Sequence, residues 1–323
     1  MMKRVLLIGG AGFIGINVAE RLMFQGYQVV IGDVRPLSSD AGTYLSQYGE
    51  VAEVHCDVTK LDEIARVIKE YRIEYLIQAS AVTPRDREEI EKLAQILSVN
   101  CVGTANLLQA ACQYGIKRYL YLGSVAVYGD VCQHKTEICE SDHDYNPKTI
   151  YELTKFFSEK MILRYAELTS LRAYILRIGD TFGPWERPTD VRSVMSAPCQ
   201  VMERLEAGDD IRLQKTGKMH WIYSKDVARC AEAILSGKPK HRIYHASSEV
   251  CWSVYEFAEY LCRYYPGRKV SLVEKNPNVT FFSELDNGAF SMERMAADLK
   301  VKLLYDKTAA ANDYHEWYLK MSR

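Results

Sequence analysis

Four glycines fall within seven residues, Gly9-Gly10-Ala11-Gly12-Phe13-Ile14-Gly15, between an apolar run, Arg4–Ile8, and a helical pattern over residues 13–25. This stretch constrains the fold more than any other. Glycine permits a tight turn, lets backbone amides approach a ligand and lets a helix pack closely on a strand. A helix that opens directly after the turn presents free N–H groups and a partial positive charge to an anion. Strand, glycine turn and helix in that order read as the start of a unit that seats a pyrophosphate. The same glycines interrupt an apolar run already too short to cross a bilayer, so the segment reads as neither a signal peptide nor an anchor.

The rest of the first half repeats the rhythm. Residues 28–32, 51–56, 75–79, 118–122 and Ala173–Ile178 read as strands, each a nearly continuous apolar run. Such runs suit strands covered on both faces. Helical patterns over 60–71, 88–114 and Ile150–Leu168 alternate with them. The alternation predicts an α/β chain with a doubly wound parallel sheet. Past Gly179 the Gly/Pro-rich run GDTFGPWERP ends the pattern. Helices over 194–206, 225–235 and 254–263, strands near Ile211 and over 242–246, and two last helical segments follow. The division expected is a nucleotide-binding domain of residues 1–179, with a return of about 222–246, and a smaller C-terminal α/β substrate lobe of 180–221 and 247–323.

Asp33 ends the second strand about twenty residues after the glycines, where a carboxylate accepts both ribose hydroxyls of NAD. The same charge repels the 2′-phosphate of NADP, so NAD is the expected cofactor. Arg35 works against that preference. Alone, Asp33 reads equally well as a strand-end turn residue.

Tyr151 and Lys155 lie four apart, on one face of a helix. A phenol titrates near pH 10, and a nearby ammonium favours its ionised form. The pair therefore suits general acid/base work. With 22 tyrosines in the chain, an ordinary surface pair is the competing reading. Ser124 tips the balance, because its strand ends at the same crevice and its hydroxyl can hold a substrate oxygen.

With these residues in view, the sequence resembles the extended short-chain dehydrogenase/reductases of the NAD-dependent epimerase/dehydratase type, which carry a Rossmann fold. The resemblance covers nearly the whole chain. It rests on GGAGFIG, Asp33, Asp57-Val58, Ala79-Ser80-Ala81, the stretch Asn100 to Asn106, GSVAVYG, YELTK and LRIGDTFGP. It implies that Gly9, Gly12, Phe13, Ile14, Gly15, Asp33, Asp57, Val58, Ala79, Ser80, Ala81, Asn100, Tyr151 and Lys155 form the NAD site, Asn100 in a supporting role. It implies that Tyr151 is the acid/base, that Lys155 also bonds the nicotinamide ribose, and that Ser124 orients the substrate hydroxyl. A homodimer through the helices at 88–114 and Ile150–Leu168 is implied as well. The helices' apolar stripes equally suit burial within one subunit.

Departures from the family pattern narrow the chemistry. Sugar dehydratases carry an acidic pair after the catalytic hydroxyl; here Val125 and Ala126 stand there, and neither moves a proton. Nucleotide-sugar enzymes usually have Asn where this chain has Asp180, and Arg where it has Met219. Both changes make a poor diphosphate site. His220 is mostly neutral at pH 7, and Trp221 reads as core or as a base-stacking ring. The expected substrate is therefore a small carbohydrate or sugar acid, held near Thr83, Arg85, Asp180 and Arg192, with Arg187 nearby. The arginines equally suit surface ion pairs. The alternative is a UDP-sugar 4-epimerase that keeps its NAD tightly bound.

Composition excludes other classes. A formal net charge of −1 gives no pull toward nucleic acid or a membrane surface. Nine cysteines, with no C-x-x-C pair and no histidine at ligand spacing, read as free thiols of a reducing cytoplasm and give no metal site.

Overall fold

The computed structural model describes residues 3–84, 86–192, 195–281 and 288–321. Its central strands, numbered in chain order, are β1 (Arg4–Ile8), β2 (Gln28–Asp33), β3 (Ala52–His55), β4 (Tyr75–Gln78), β5 (Arg118–Ser124), β6 (Ala173–Ile178) and β7 (Ile243–Ala246). All pair in parallel, in the order β7-β6-β5-β4-β1-β2-β3. The chain winds β1 to β3 outward on one side, then returns to lay β4 to β7 on the other. The order reverses between β1 and β4, and the crevice for a ligand opens at the strands' carboxyl ends there.

The apolar runs explain the layering. Val5, Leu6 and Leu7 of β1 are fully buried, because helices cover both faces of the sheet. β3, at one edge of the sheet, differs: its residues alternate between half-buried and exposed. Helix Phe13–Phe24 turns Ile16, Ala19 and Leu22 inward at helical spacing and packs beside Ser224–Ser236.

One expected helix is not continuous. Residues 88–114 divide into Asp86–Glu91, Leu93–Leu97, a π-helical turn Ser98–Val102 and Gly103–Gln113. The turn places Asn100 inward, and such inserted turns recur beside functional sites. The Asn100 side chain accepts from Val82 N at 2.8 Å and donates to Val82 O and Thr154 Oγ1, both at 3.0 Å.

The smaller lobe is built from helices Ala197–Glu206, Val254–Leu261 and Lys307–Met321 with short two-stranded pairs. Phe182, Trp221, Trp252, Phe257 and Tyr314 form much of its core. Trp317 packs against both this core and that of the large sheet. Among the described residues, no helix is long and apolar enough to cross a membrane. All nine cysteines are free thiols.

Candidate active site

Loops from the ends of β1, β2, β4, β5 and β6 surround a crevice of about 650 Å³. At its first wall, Gly9 sits at φ +76°, and a Cβ there would lie 2.4 Å from Ser80 N. A Cβ on Gly15 would lie 2.3 Å from Gly9 O. Both glycines are thus required by backbone approach. Helix Phe13–Phe24 begins at Gly12 with no side-chain cap and no acid in its first turn, so its N–H groups and dipole are left for an anion. The Ser80 hydroxyl faces the same region, buried and without a hydrogen-bond partner.

Asp33 lies at the far end of β2. Its Oδ2 accepts from Ala11 N at 3.2 Å and its Oδ1 from Arg35 N at 3.1 Å. Asp57 accepts from Thr59 N at 2.9 Å, which fixes the turn that presents Val58. Gly9, Gly12, Phe13, Ile14, Gly15, Asp33, Asp57, Val58, Ala79, Ser80 and Ala81 all line the crevice. Asn100 does not: its side chain is used up holding the Val82 segment and Thr154, so its role is support. The uncapped helix end, the glycine approach and the carboxylate at the end of β2 fit a dinucleotide.

Ser124, Tyr151 and Lys155 meet on the opposite wall. Ser124 Oγ accepts from Ala126 N at 3.1 Å, capping the short turn Val125–Tyr128 and fixing its rotamer. Helix Ile150–Leu168 starts with a capping box between Thr149 and Glu152, which places Tyr151 in the first turn and Lys155 one turn deeper. Lys155 Nζ donates to Leu122 O at 3.1 Å and lies 5.7 Å from the centre of the Tyr151 ring. Burial pushes its ammonium down to about 8.

The Tyr151 phenol behaves differently from the sequence expectation. Burial holds it above its ordinary value, and the opposing pulls come from Ser124, the Arg192 guanidinium and Thr83. The low-dielectric surroundings outweigh them, and the Lys155 ammonium donates its hydrogen bond to the Leu122 carbonyl.

Behind these residues lies a buried ionic network. Arg177 Nε donates to Glu159 Oε2 at 2.8 Å, and both side chains are essentially fully buried. Arg177 also donates to Tyr128 and, at 3.0 Å, to Tyr145. Tyr128 follows Ser124 in the short turn, and Glu159 follows Lys155 on the helix, so the network pins both catalytic walls. His245 bonds Tyr128 at 2.8 Å and is pushed down to about 3 by burial and the Arg177 charge; it stays neutral.

A second cavity of about 500 Å³ continues from Ser124 and Tyr151 past Thr83, Asp180 and Arg192. Arg192 pairs with buried Glu186 at 2.6 Å. Arg85 lies outside the described residues. Met219 is buried in the lobe core, and His220 Nδ1 bonds Ser248 O at 2.9 Å. Trp221 both lines the crevice and packs in that core. Sequence reasoning missed the run Thr189-Asp190-Val191-Arg192 as a unit. It crosses the crevice as a strap: Thr83 N donates to Val191 O at 2.8 Å, and Arg35 pairs with Asp190 at 2.7 Å. The alternating charges of ERPTDVR, eight residues past the end of β6, are its trace in the sequence. Cys132 is buried against the second cavity.

Fold and site together define a Rossmann-type dinucleotide-binding protein with a Ser-Tyr-Lys constellation. The model of the NAD dependent epimerase/dehydratase family matches residues 5–246, and the chain belongs to that family. It is 26% identical to a UDP-N-acetyl-alpha-D-glucosaminuronate decarboxylase of Bacillus cytotoxicus over 80% of this chain and 79% of that one. It is 28% identical to a UDP-glucose 4-epimerase of Vibrio cholerae over 57% of this chain. The chain spans about half the length of the first curated relatives it matches, 53% in the Vibrio case. A solved UDP-glucose-4-epimerase from Stenotrophomonas maltophila, with bound NAD and formylated UDP-arabinopyranose, shares the fold. Its TM-score is 0.84 at 22% identity, covering 100% of this chain and 99% of that one.

Proposed function

We propose that this protein is an NAD-dependent oxidoreductase acting at a carbinol carbon of a small carbohydrate or sugar acid. The observation that carries the reading is the convergence of Ser124, Tyr151 and Lys155 on one wall of the dinucleotide crevice. Bound NAD supplies the two-electron acceptor. The glycine turn and the open helix end hold its pyrophosphate, Asp33 its adenosine ribose, and Lys155 its nicotinamide ribose. Ser124 Oγ holds the substrate hydroxyl, and the Tyr151 phenol exchanges the proton with it. Val125 and Ala126 have no titratable proton, so the acidic pair that sugar dehydratases carry after the catalytic hydroxyl is missing. Residues 1–179 with 222–246 hold the cofactor, and 180–221 with 247–323 close over the substrate.

The electrostatics favour a substrate without a diphosphate. Among the described residues, the two cations lining the second cavity are paired, Lys148 with Asp130 at 3.5 Å and Arg192 with Glu186 at 2.6 Å. Met219 donates nothing, and Asp180 adds negative charge. A diphosphate left imperfectly paired costs several kcal/mol. A sugar carboxylate would meet Arg192, already half offset; a neutral polyhydroxylated substrate avoids the conflict.

The second reading is a UDP-sugar 4-epimerase with tightly bound NAD. It is favoured by relatives whose names specify nucleotide sugars. One experiment separates the two: titration calorimetry of the NAD-loaded protein with UDP, GDP and dTDP, followed by nicotinamide absorbance with a panel of sugars and sugar acids. Absent nucleotide binding and net NADH formation support the first reading. Micromolar UDP binding without net NADH supports the second.

We also propose a cytoplasmic homodimer. The free thiols support a reducing compartment. Leu93, Leu97, Val102, Leu153 and Phe157 are 43–54% exposed on the helices that the family pattern assigns to the interface. Light scattering on Leu97→Glu/Phe157→Glu tests it: a monomer supports the proposal, and an unchanged mass refutes it.

A further inference from the structure

We propose that Asp190 sets the cofactor preference of the crevice by holding the Arg35 guanidinium away from the ribose 2′ position. The inference rests on the reading of the crevice as a NAD site. Asp33 at the end of β2 disfavours a 2′-phosphate, which carries a charge of about −1.5 to −2 near neutral pH. Arg35, two residues on, lines the same rim and is the cation placed to offset that repulsion. A guanidinium is well matched to phosphate, which it grips with two parallel donors.

In the structure those donors are turned elsewhere. Arg35 Nη1 donates to Asp190 Oδ1 at 2.7 Å. Asp190 therefore acts twice: it occupies the guanidinium, and it adds a second negative charge to the rim beside Asp33. The two side chains remain 35% and 71% exposed, so the pair is open enough to exchange partners with a ligand.

The carboxylate is separable from the strap that delivers it. The backbone of the strap has its own fastenings. Thr83 N donates to Val191 O at 2.8 Å, and Thr189 N to Arg192 O at 2.8 Å. Lys92 Nζ donates to Asp190 O at 2.8 Å while pairing with Glu88 at the same distance. Removing the Asp190 charge alone thus releases Arg35 and leaves the strap seated. No local pattern around Arg35 announces this control, because the controlling acid arrives 155 residues later in the chain.

The test is a double-mutant cycle on the full chain: wild type, Asp190→Asn, Arg35→Ala and the double variant. Dissociation constants for NAD and NADP are measured by intrinsic-fluorescence titration at fixed ionic strength. An exposed ion pair and one like charge together are worth roughly five- to tenfold in affinity. The ratio of the NADP to the NAD constant is expected to fall by that factor in Asp190→Asn, and most of that fall is expected to disappear when Asp190→Asn is made on the Arg35→Ala background. An unchanged ratio in Asp190→Asn, with NAD still bound by wild type, overturns the inference alone. A gain of the same size on the Arg35→Ala background also overturns it, because loss of the rim charge alone then accounts for the effect. Wild type that binds neither nucleotide overturns the NAD reading of the crevice and this inference with it.

Discussion

Lys155 is a buried charge held at a cost in stability, and replacing it by methionine should make the protein more stable while removing the activity proposed for it. The side chain is 3% exposed, and burial pushes its ammonium from 10.5 down to about 8. That difference corresponds to about 3 kcal/mol of destabilisation when both folded and unfolded chains are protonated. The sign follows from proton counts. Between pH 8 and 10.5 the unfolded chain keeps the proton and the native chain has lost it, so wild-type stability rises with pH across that window. Below pH 8 the cost is full; above 10.5 it is gone. Methionine keeps the apolar stem and removes the charge, but it forfeits the bond to Leu122 O, about 1 kcal/mol. Lys155→Met should therefore gain about 2 kcal/mol at neutral pH, and the gain should shrink to about zero near pH 9.5. Urea unfolding of cofactor-stripped protein at the two pH values measures this. A variant less stable than wild type at neutral pH, or a difference that ignores pH, refutes the reasoning.

Two further outcomes follow from the same geometry. Gly9→Ala places a Cβ 2.4 Å from Ser80 N in a left-handed backbone, so it should cost about 1–3 kcal/mol and weaken NAD, read by thermal melts with and without cofactor. Glu159→Gln strips the counter-charge from buried Arg177 and should cost about 3–5 kcal/mol, whereas Glu159→Leu/Arg177→Met should recover most of it; additive losses in urea unfolding would contradict the paired-burial account.

The cofactor half of the site is legible in sequence because it is local. The glycine turn, Asp33, Ser124 and the Tyr151–Lys155 pair each lie at a strand end or within one helical turn. The sheet was equally readable, since β1, β2, β4, β5 and β6 are apolar runs with turn signals between them. The break at Ser98–Val102 was not, because it depends on Asn100 bonding Val82 and Thr154, partners 18 and 54 residues away. The strap was hidden for the same reason: Asp190 finds Arg35, 155 residues back, only after the chain folds over the crevice. The Tyr151 phenol was misjudged because spacing on a helix shows a neighbouring ammonium but not the burial of the ring.

The most direct test of the central claim is Tyr151→Phe. The substitution keeps the ring and deletes the oxygen that exchanges the substrate proton. NAD affinity by fluorescence titration should stay close to wild type, while NADH formation with the substrate that wild type turns over should fall by about 10²–10⁴-fold. A Phe variant that retains most of its turnover would contradict the assignment of Tyr151 as the acid/base and, with it, the mechanism.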